Sequence, residues 1–290
     1  SMALQRKNKN GWNCKRSCSR IFKSYSIEGK NIMIEMFKNI YQYRELLKTN
    51  IKKEIRGKYK HSFLGVLWSF LYPLLQLAVY AIIFPLILRN TQDHYVIFLC
   101  VALIPWNYFT TIVTQSTGTV INNADIVKKV YFPREILPIS VVTSQLVNFL
   151  ISTIIILAFV LFSGMGISKY ILFYPVILLI QYIFSIGVAF IVSSATVFLR
   201  DLEHLISIAM MMLFYATPIA YSADTIPANF SFIITLNPMA HILNAYRDIF
   251  YYQRMPQLQT LAIIFAISVA LFVVGYAIFN KLQKSFAEEL

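Results

Sequence analysis

Apolar positions dominate the chain beyond residue 60, in uncharged stretches long enough to cross a membrane. With histidine counted as neutral, the uncharged stretches are 61–88, 94–124, 136–168, 170–199, 204–223, 225–246 and 255–280. A bilayer core requires about 20 apolar residues per helix, so seven stretches are candidate spans. A hydrophobic fraction of 58% and a charged fraction of 13% also exclude an ordinary soluble domain. The pattern predicts an all-α integral membrane protein.

The stretch 225–246 differs from the other six. It contains Asn237 followed by Pro238, a pair that interrupts a helix. A break exposed to lipid would leave backbone groups without partners. We therefore predict two short re-entrant helices at 226–250 that return to the same face, with a seventh span as the alternative. The six remaining spans are predicted at 66–88, 95–119, 137–162, 172–198, 205–222 and 258–279.

Positive charge is concentrated at the start of the chain. Residues 1–60 hold 16 of the 26 lysines and arginines, with four acidic residues. With both termini in the cytoplasm, the six-span arrangement places 22 lysines and arginines inside and four outside, namely Arg89, Lys169, Arg247 and Arg254. Cytoplasmic segments carry such an excess, so we predict that both termini are cytoplasmic. The domain plan is a basic extension (1–35), an interfacial helix (36–60), a permease domain (61–280) and a tail (281–290).

Residues 36–60 predict a helix lying on the inner membrane surface. One face carries apolar residues at helical spacing, namely Met36, Ile40, Tyr43, Leu47, Ile51 and Ile55. Lysines and arginines occupy the other positions. A basic amphipathic helix beside a span lies in the headgroup plane. Two interpretations remain open: a simple anchor, or a receiver of anionic lipid headgroups from the inner leaflet.

The inner loop at 122–135 reads NNADIVKKVYFPRE. It is long enough for one short helix parallel to the membrane, with Asn122 or Asn123 as its cap and Pro133 as its end. Four apolar residues lie in this loop: Val127, Val130, Tyr131 and Phe132. They indicate either docking to another protein or packing against the inner ends of the protein's own helices.

Several kinds of chemistry have no signature in the sequence. A GxxxxGK[S/T] phosphate loop and an HExxH zinc motif do not occur, and the four histidines are scattered. The predicted spans carry no carboxylate or lysine at mid-depth, which disfavours a proton-coupled carrier and a charged-ring channel. Cys14, Cys18 and Cys100 are expected to be unpaired thiols. We predict no metal site and no cofactor in this chain.

Aromatic residues are abundant, with 23 Phe, 18 Tyr and 3 Trp. The first predicted span carries Trp68, Phe70, Tyr72, Tyr80 and Phe84, and the fifth carries Phe214, Tyr215 and Tyr221. Aromatic rings with hydroxyls offer apolar faces and hydrogen bonds, which suits a sliding polysaccharide. Lipid-facing or core positions are the alternative for each of these residues.

Five segments in a fixed order carry a resemblance to a known family. They are LGVLWSFLYPLLQLAVYAIIF (64–84), KKVYFPREILPIS (128–140), FLRDLEH (198–204), FYATPIAYS (214–222) and NPMAHILNAYRDI (237–249). Together they resemble the membrane subunit of bacterial ABC exporters for lipid-linked polysaccharides, such as O-antigen and teichoic-acid export permeases. The resemblance covers about 36–280, so the first thirty or so residues are an extension.

The resemblance implies an assembly and a set of residue roles. It implies a homodimer of six-span subunits with two copies of a cytoplasmic ATPase, which binds the ATP and Mg. The residues implied in coupling to that ATPase are Asn123, Asp125, Ile126, Val127, Lys128, Arg134, Arg200 and Asp201. The first and fifth spans are implied to line the channel, which assigns the glycan lining to Trp68, Tyr72, Tyr80, Phe84, Phe214, Tyr215 and Tyr221. Candidates for attracting the lipid pyrophosphate are Lys52, Lys53, Arg56, Lys58 and Lys60.

The expected function is export of an undecaprenyl-pyrophosphate-linked polysaccharide from the cytoplasmic side of the bacterial inner membrane. ATP hydrolysis belongs to the separate subunit, so the chain itself is expected to be a transport permease and not an enzyme. Its expected partners include membrane lipids but no nucleic acid, since the positive charge is concentrated in residues 1–60, next to the predicted spans. The alternatives are an ABC exporter of drugs or simple lipids, and a membrane enzyme acting on undecaprenyl lipids.

Overall fold

The computed structural model describes residues 32–59, 65–88, 93–222 and 231–290. Throughout these ranges the regular structure is helical, and they contain no strand. The chain divides into two units, the first ending at Gln42 and the second covering Tyr43–Leu290. The described part of the first unit is a single helix, α1 (Ile32–Gln42).

The second unit contains the remaining helices. They are α2 (Arg44–Tyr59), α3 (Trp68–Leu88), α4 (Tyr95–Gly118), α5 (Ala124–Lys129), α6 (Ile136–Phe162), α7 (Tyr174–Phe198), α8 (Leu202–Ala216), α9 (Ser231–Leu236), α10 (Pro238–Phe250), α11 (Leu258–Leu282) and α12 (Phe286–Glu289). Short 3₁₀ turns precede α3, α5, α7 and α12.

Five of these helices are long and apolar enough to cross a membrane: α3, α4, α6, α7 and α11. They begin and end within three residues of five predicted spans. The prediction of an all-α membrane protein is therefore confirmed.

The fifth predicted span differs from the prediction. A continuous helix was expected over 205–222, but α8 ends at Ala216 and has only 15 residues. Thr217 adopts an extended conformation, with φ −94° and ψ 135°. The cause is Pro218, because the ring of a proline disfavours helical geometry in the residue before it. Pro73, Pro85 and Pro105, in contrast, lie inside continuous helices.

The centre of the second unit is α4, which packs against α3, α6, α7, α8 and α10. Phe98, Leu99, Leu103 and Ile112 on this helix are fully buried. α7 and α11 form another close pair, in which a Cβ added to Gly187 would lie 2.8 Å from the backbone nitrogen of Phe272. Small residues permit such close approach of membrane helices. α3, in contrast, exposes much of its surface, as at Leu86 and Ile82.

Candidate functional site

Helix α2 packs against α6 and presents a basic surface. Lys52, Lys53 and Arg56 are exposed on it, as the interfacial interpretation requires. Of the other two predicted basic residues, Lys58 belongs to α2 but its side chain lies outside the described part, and Lys60 lies outside the described residues altogether.

An acidic residue near the start of α2 neutralises part of that charge. Lys48 Nζ donates a 2.9 Å hydrogen bond to Glu45 Oε1, and the Arg44 guanidinium lies 3.7 Å from the same oxygen. The bond from Lys48 is the main reason why the pKa of Glu45 lies below its usual value. The lysines and arginine further along the helix therefore dominate its positive potential.

The loop between α4 and α6 is attached to two other elements. At its start, Lys53 Nζ on α2 donates to Asn123 Oδ1 at 3.1 Å. At its end, Arg134 donates to the carbonyl of Gln283, and its guanidinium lies over the Phe286 ring at 5.9 Å. The loop thus contacts both the surface helix α2 and the C-terminal segment that follows α11.

Asn123 has a different role from the predicted cap. It occupies the N-cap position of α5, but its side chain makes no capping bond there. Its amide nitrogen instead donates to the carbonyl of Thr119 at 2.8 Å, and its oxygen accepts from Lys53. The amide therefore fastens the end of α4 to α2 instead of starting α5.

The apolar residues of the loop divide between the two interpretations that the sequence left open. Val127 and Phe132 are buried against the protein's own helices. Val130 and Tyr131 are 56% and 62% exposed, and Ile126 is exposed beside them. The charged residues Asp125 and Lys128 also face outward. The outward-facing set defines the loop surface: Asp125, Ile126, Lys128, Val130 and Tyr131.

Arg200 and Asp201 lie in the exposed turn between α7 and α8. Phe286 provides a physical connection from this region to the loop, because its ring packs against Phe198 at 6.2 Å and under Arg134. Phe286 is fully buried. The sequence analysis did not single it out; its only signal is that it is the one aromatic residue of the tail 281–290.

Five of the seven predicted lining residues form one aromatic cluster on α3, α8 and the segment after α8. Tyr80 contacts Phe84 and Phe214, with ring centroids 5.4 and 5.6 Å apart. Phe214 contacts Tyr215 at 5.3 Å, and the Tyr221 hydroxyl donates to the Tyr215 carbonyl at 2.8 Å. The structure therefore brings the predicted first and fifth spans together through aromatic rings.

Trp68 and Tyr72 lie apart from that cluster. Both are exposed near the beginning of α3 and line a groove that α3 forms with α4 and α6. The cluster, in contrast, occupies the second half of α3.

The predicted re-entrant segment contains two short helices, α9 and α10, separated at Asn237. The Asn237 side chain accepts from the Met239 amide and donates to Thr217 Oγ1 at 2.8 Å. Residues 226–230 lie outside the described part. That the two helices dip into the bilayer and return stays a prediction.

Arg247 is an internal residue that the sequence analysis counted as an outer charge. It is 2% exposed and donates to the carbonyls of Pro218 and Ile219, both at 2.6 Å. Its guanidinium lies 3.7 Å from the Phe98 ring centroid. Arg247 therefore connects the core helix α4 to the non-helical segment around Pro218.

Comparison with known proteins identifies the family. The family described as "ABC-2 type transporter" matches residues 45–251, which include all but the first residue of α2, the loop surface, the aromatic cluster and α10. The chain belongs to the ABC-2 type transporter family. Membership makes it a multi-pass membrane protein and a transport subunit, and implies an ABC ATPase as its partner.

Individual relatives cover nearly the whole of the ABC-2 subunit. The chain is 34% identical to the O-antigen export system permease protein RfbA of Myxococcus xanthus. The alignment extends over 260 residues, which are 89% of this chain and 100% of that protein. Two permeases with the same name from Klebsiella pneumoniae are 39% and 38% identical over 258 residues, 89% of this chain and 99% of theirs.

Proposed function

We propose that this chain is the membrane subunit of an exporter of O-antigen-like polysaccharide, linked to undecaprenyl pyrophosphate. The observation that carries the proposal is 34–39% identity, over 89% of the chain, to relatives named as O-antigen export permeases. We further propose that two copies form the membrane part, with both termini cytoplasmic and one ATPase on each copy. The excess of basic residues in the predicted inner segments supports this orientation.

Substrate arrives at the basic surface of α2. The exposed ammonium of Lys52 and guanidinium of Arg56 attract the pyrophosphate of the lipid carrier from the inner leaflet. Lys53 joins α2 to Asn123 by a hydrogen bond, so the headgroup binds beside the loop that faces the ATPase.

The loop surface receives the force of ATP binding and hydrolysis. Val130 and Tyr131 supply exposed apolar contact area on the loop, which is typical of a protein-docking patch. Arg134 transmits displacement of the loop to the end of α11 through Gln283 and Phe286. Movement of the ATPase therefore reaches a spanning helix through two contacts of the Arg134 side chain, one with the Gln283 carbonyl and one with the Phe286 ring.

The glycan passes along the aromatic cluster between α3 and α8. Rings at Tyr80, Phe214 and Tyr215 offer uncharged apolar faces to sugar C–H groups, and tyrosine hydroxyls offer hydrogen bonds. Such contacts are weak and similar from one sugar to the next, which suits a polymer that must slide.

Deletion of the gene from its own bacterium tests the function. We expect surface polysaccharide to disappear while its undecaprenyl-linked precursor accumulates inside, and the wild-type gene to restore delivery. Reintroduced Lys52→Gln/Arg56→Gln should restore only part of it, whereas Lys169→Gln, a change to an exposed lysine outside α2, should restore it fully. Unchanged surface glycan in the deletion strain, with loss of drug or simple-lipid efflux instead, would contradict the proposal.

A further inference from the structure

A polar pocket of about 220 Å³, the outer pocket, lies apart from α2, the loop surface and the aromatic cluster. Its walls are α10, the connection from α10 to α11, and the first turn of α11. The predicted topology places this connection on the outer side of the membrane, where an exported chain leaves. The polar side chains that matter for binding are Asn244, Asp248, Arg254 and Gln257.

An ion pair supplies both a hydrogen-bond acceptor and donors to the outer pocket. Arg254 Nε donates to Asp248 Oδ1 at 2.6 Å, and the Asp248 side chain is only 10% exposed. This bond uses one of the two carboxylate oxygens and one of the three guanidinium nitrogens. The remaining atoms have no further hydrogen-bond partner among the residues that the structure describes. They are therefore available to a molecule in the pocket.

Two amides add further groups of both kinds. Asn244 has no hydrogen-bond partner within the described ranges, and Gln257 accepts one bond there, from the Thr260 hydroxyl at 3.1 Å. Asn244 is partly exposed and Gln257 is exposed, so a molecule in the outer pocket can reach both. Amides donate and accept, as sugar hydroxyls do.

The wall that carries Arg254 is held in an unfavourable backbone conformation. Gln253 has a φ of 51°, in the left-handed region that residues other than glycine rarely adopt. Its amide nitrogen donates to the carbonyls of Met165 and Gly166 at 2.9 and 3.0 Å. The backbone N–H of Arg254 donates to the Asp248 carbonyl at 2.8 Å. Strained backbone that is fixed by its surroundings is typical of binding sites.

We propose that the outer pocket binds one neutral pyranose ring of the exported chain, with adjacent hydroxyls held by the Asp248 carboxylate, the Arg254 guanidinium and the Asn244 amide. The inference rests on the proposed function and adds to it a sugar-binding position on the outer side. The volume lies below the usual range for small-molecule pockets, which suits a single ring.

Other ligands fit the charges of the outer pocket less well. An acidic sugar would place a second negative charge beside Asp248, and a metal ion would lie close to the guanidinium groups of Arg247 and Arg254, which both line the pocket. An acyl chain would cover the ion pair and the amides without giving them hydrogen-bond partners.

The main test compares two asparagines that both lack a partner. Asn244→Leu removes the amide from the outer pocket and keeps the size of the side chain. Asn50→Leu on α2 is the matched control, because Asn50 is also partly exposed and has no hydrogen-bond partner in the described part of the chain. We expect Asn244→Leu to weaken sugar binding about two- to tenfold. Neither change should lower thermal stability, and Asn50→Leu should leave sugar binding unchanged.

A second variant tests the charge of the ligand. Asp248→Asn keeps the shape of the side chain and one acceptor oxygen but removes the negative charge. Because hydrogen bonds to a charged group are stronger than those to a neutral one, we expect neutral sugars to bind Asp248→Asn about three- to tenfold more weakly than wild type.

Binding is measured on the full permease–ATPase complex in lipid nanodiscs with a dye beside the outer pocket. Leu258 is 52% exposed, follows Gln257 and does not line the pocket, so Leu258→Cys carries a solvatochromic dye in a complex without its other cysteines. The probes are maltoheptaose and a linear mannose oligomer, with oligogalacturonate as the acidic sugar and polyethylene glycol as the non-sugar control. Both neutral sugars should shift the dye emission saturably, and the glycol should not.

Four outcomes would overturn the proposal: no saturable shift with either neutral sugar, an equal shift with the glycol, tighter binding of oligogalacturonate than of the neutral sugars, or equal affinities in wild type and Asn244→Leu. Loss of the outer-pocket inference is distinguishable from loss of the proposed function, because export is scored independently in the deletion strain.

Discussion

At the scale of single residues, Arg247 shows how a charge can be part of a core. Its two terminal nitrogens bond the carbonyls of Pro218 and Ile219, at the segment where α8 has already ended. Buried backbone carbonyls outside regular structure need hydrogen-bond partners, and here the guanidinium supplies them. An arginine can serve two carbonyls at once because its donors are fixed in a plane.

Replacement of Arg247 should therefore destabilise the fold. In Arg247→Met both carbonyls lose charged donors, and we expect the free energy of unfolding to fall by about 2–4 kcal/mol. Arg247→Lys should recover only part of this loss, since an ammonium lacks the planar pair of donors. Denaturant unfolding of the purified permease in detergent measures both. Lys169→Met, at an exposed lysine, is the control and should change little. Equal stability of wild type and Arg247→Met would refute the role.

Tyr131 is an aromatic residue whose exposure makes it a candidate contact for the ATPase. Because it protrudes from the loop surface, its truncation should leave the permease folded and weaken the ATPase interaction. We expect Tyr131→Ala to raise the Kd of the permease–ATPase complex about 5- to 30-fold, as loss of an interface aromatic typically does.

A pull-down titration with the purified ATPase measures that affinity. Leu172→Ala removes a similarly exposed apolar side chain at the opposite end of α7 from the loop and should have no effect. If Tyr131→Ala binds the ATPase as tightly as wild type, the loop surface is not the docking site.

At the scale of elements, the contact between α7 and α11 depends on two glycines. A Cβ on Gly187 would lie 2.8 Å from Phe272 N, and one on Gly275 would meet the backbone carbonyl of Gly187. Backbone atoms cannot rotate away as the end of a side chain can, so any larger residue must push the helices apart.

Gly187→Ala should consequently lower the free energy of unfolding by about 1–3 kcal/mol, the usual effect of overpacking. Gly57→Ala in α2 is the matched control: a Cβ there meets nothing within 4 Å, and the gain in helix propensity is about 1 kcal/mol. Opposite signs for the two changes in a denaturant titration are expected. A neutral or stabilising Gly187→Ala would show that α7 and α11 do not approach closely.

The sequence predicted the long helices well because a span requires a continuous apolar run, and such runs are visible without any knowledge of packing. It did not predict the end of α8 at Ala216. Pro73, Pro85 and Pro105 lie in comparable runs and leave their helices continuous. The pattern alone does not distinguish Pro218 from them; only the fold shows that Arg247 donates to the carbonyls of Pro218 and Ile219 in the non-helical segment.

At the scale of the whole molecule, the candidate site was predicted only in part. Helical spacing and the resemblance together indicated α2, the loop and the aromatic residues of the first and fifth spans. The division of the loop into buried Val127 and exposed Tyr131, and the separation of Trp68 from Tyr80, depend on tertiary packing. The spacing of apolar residues does not predict which side of a helix as short as α5 packs against the other helices.

The brevity of α8 bears on the barrier that a hydrophilic polymer has to cross. Fifteen residues at about 1.5 Å each extend only about 22 Å, against a hydrocarbon slab of about 30 Å. The segment 217–222 that follows α8 is not helical, and its Pro218 and Ile219 carbonyls accept from the buried guanidinium of Arg247. A polysaccharide exported along the aromatic rings, as proposed, would therefore pass beside irregular backbone and not beside a helix that spans the hydrocarbon layer by itself.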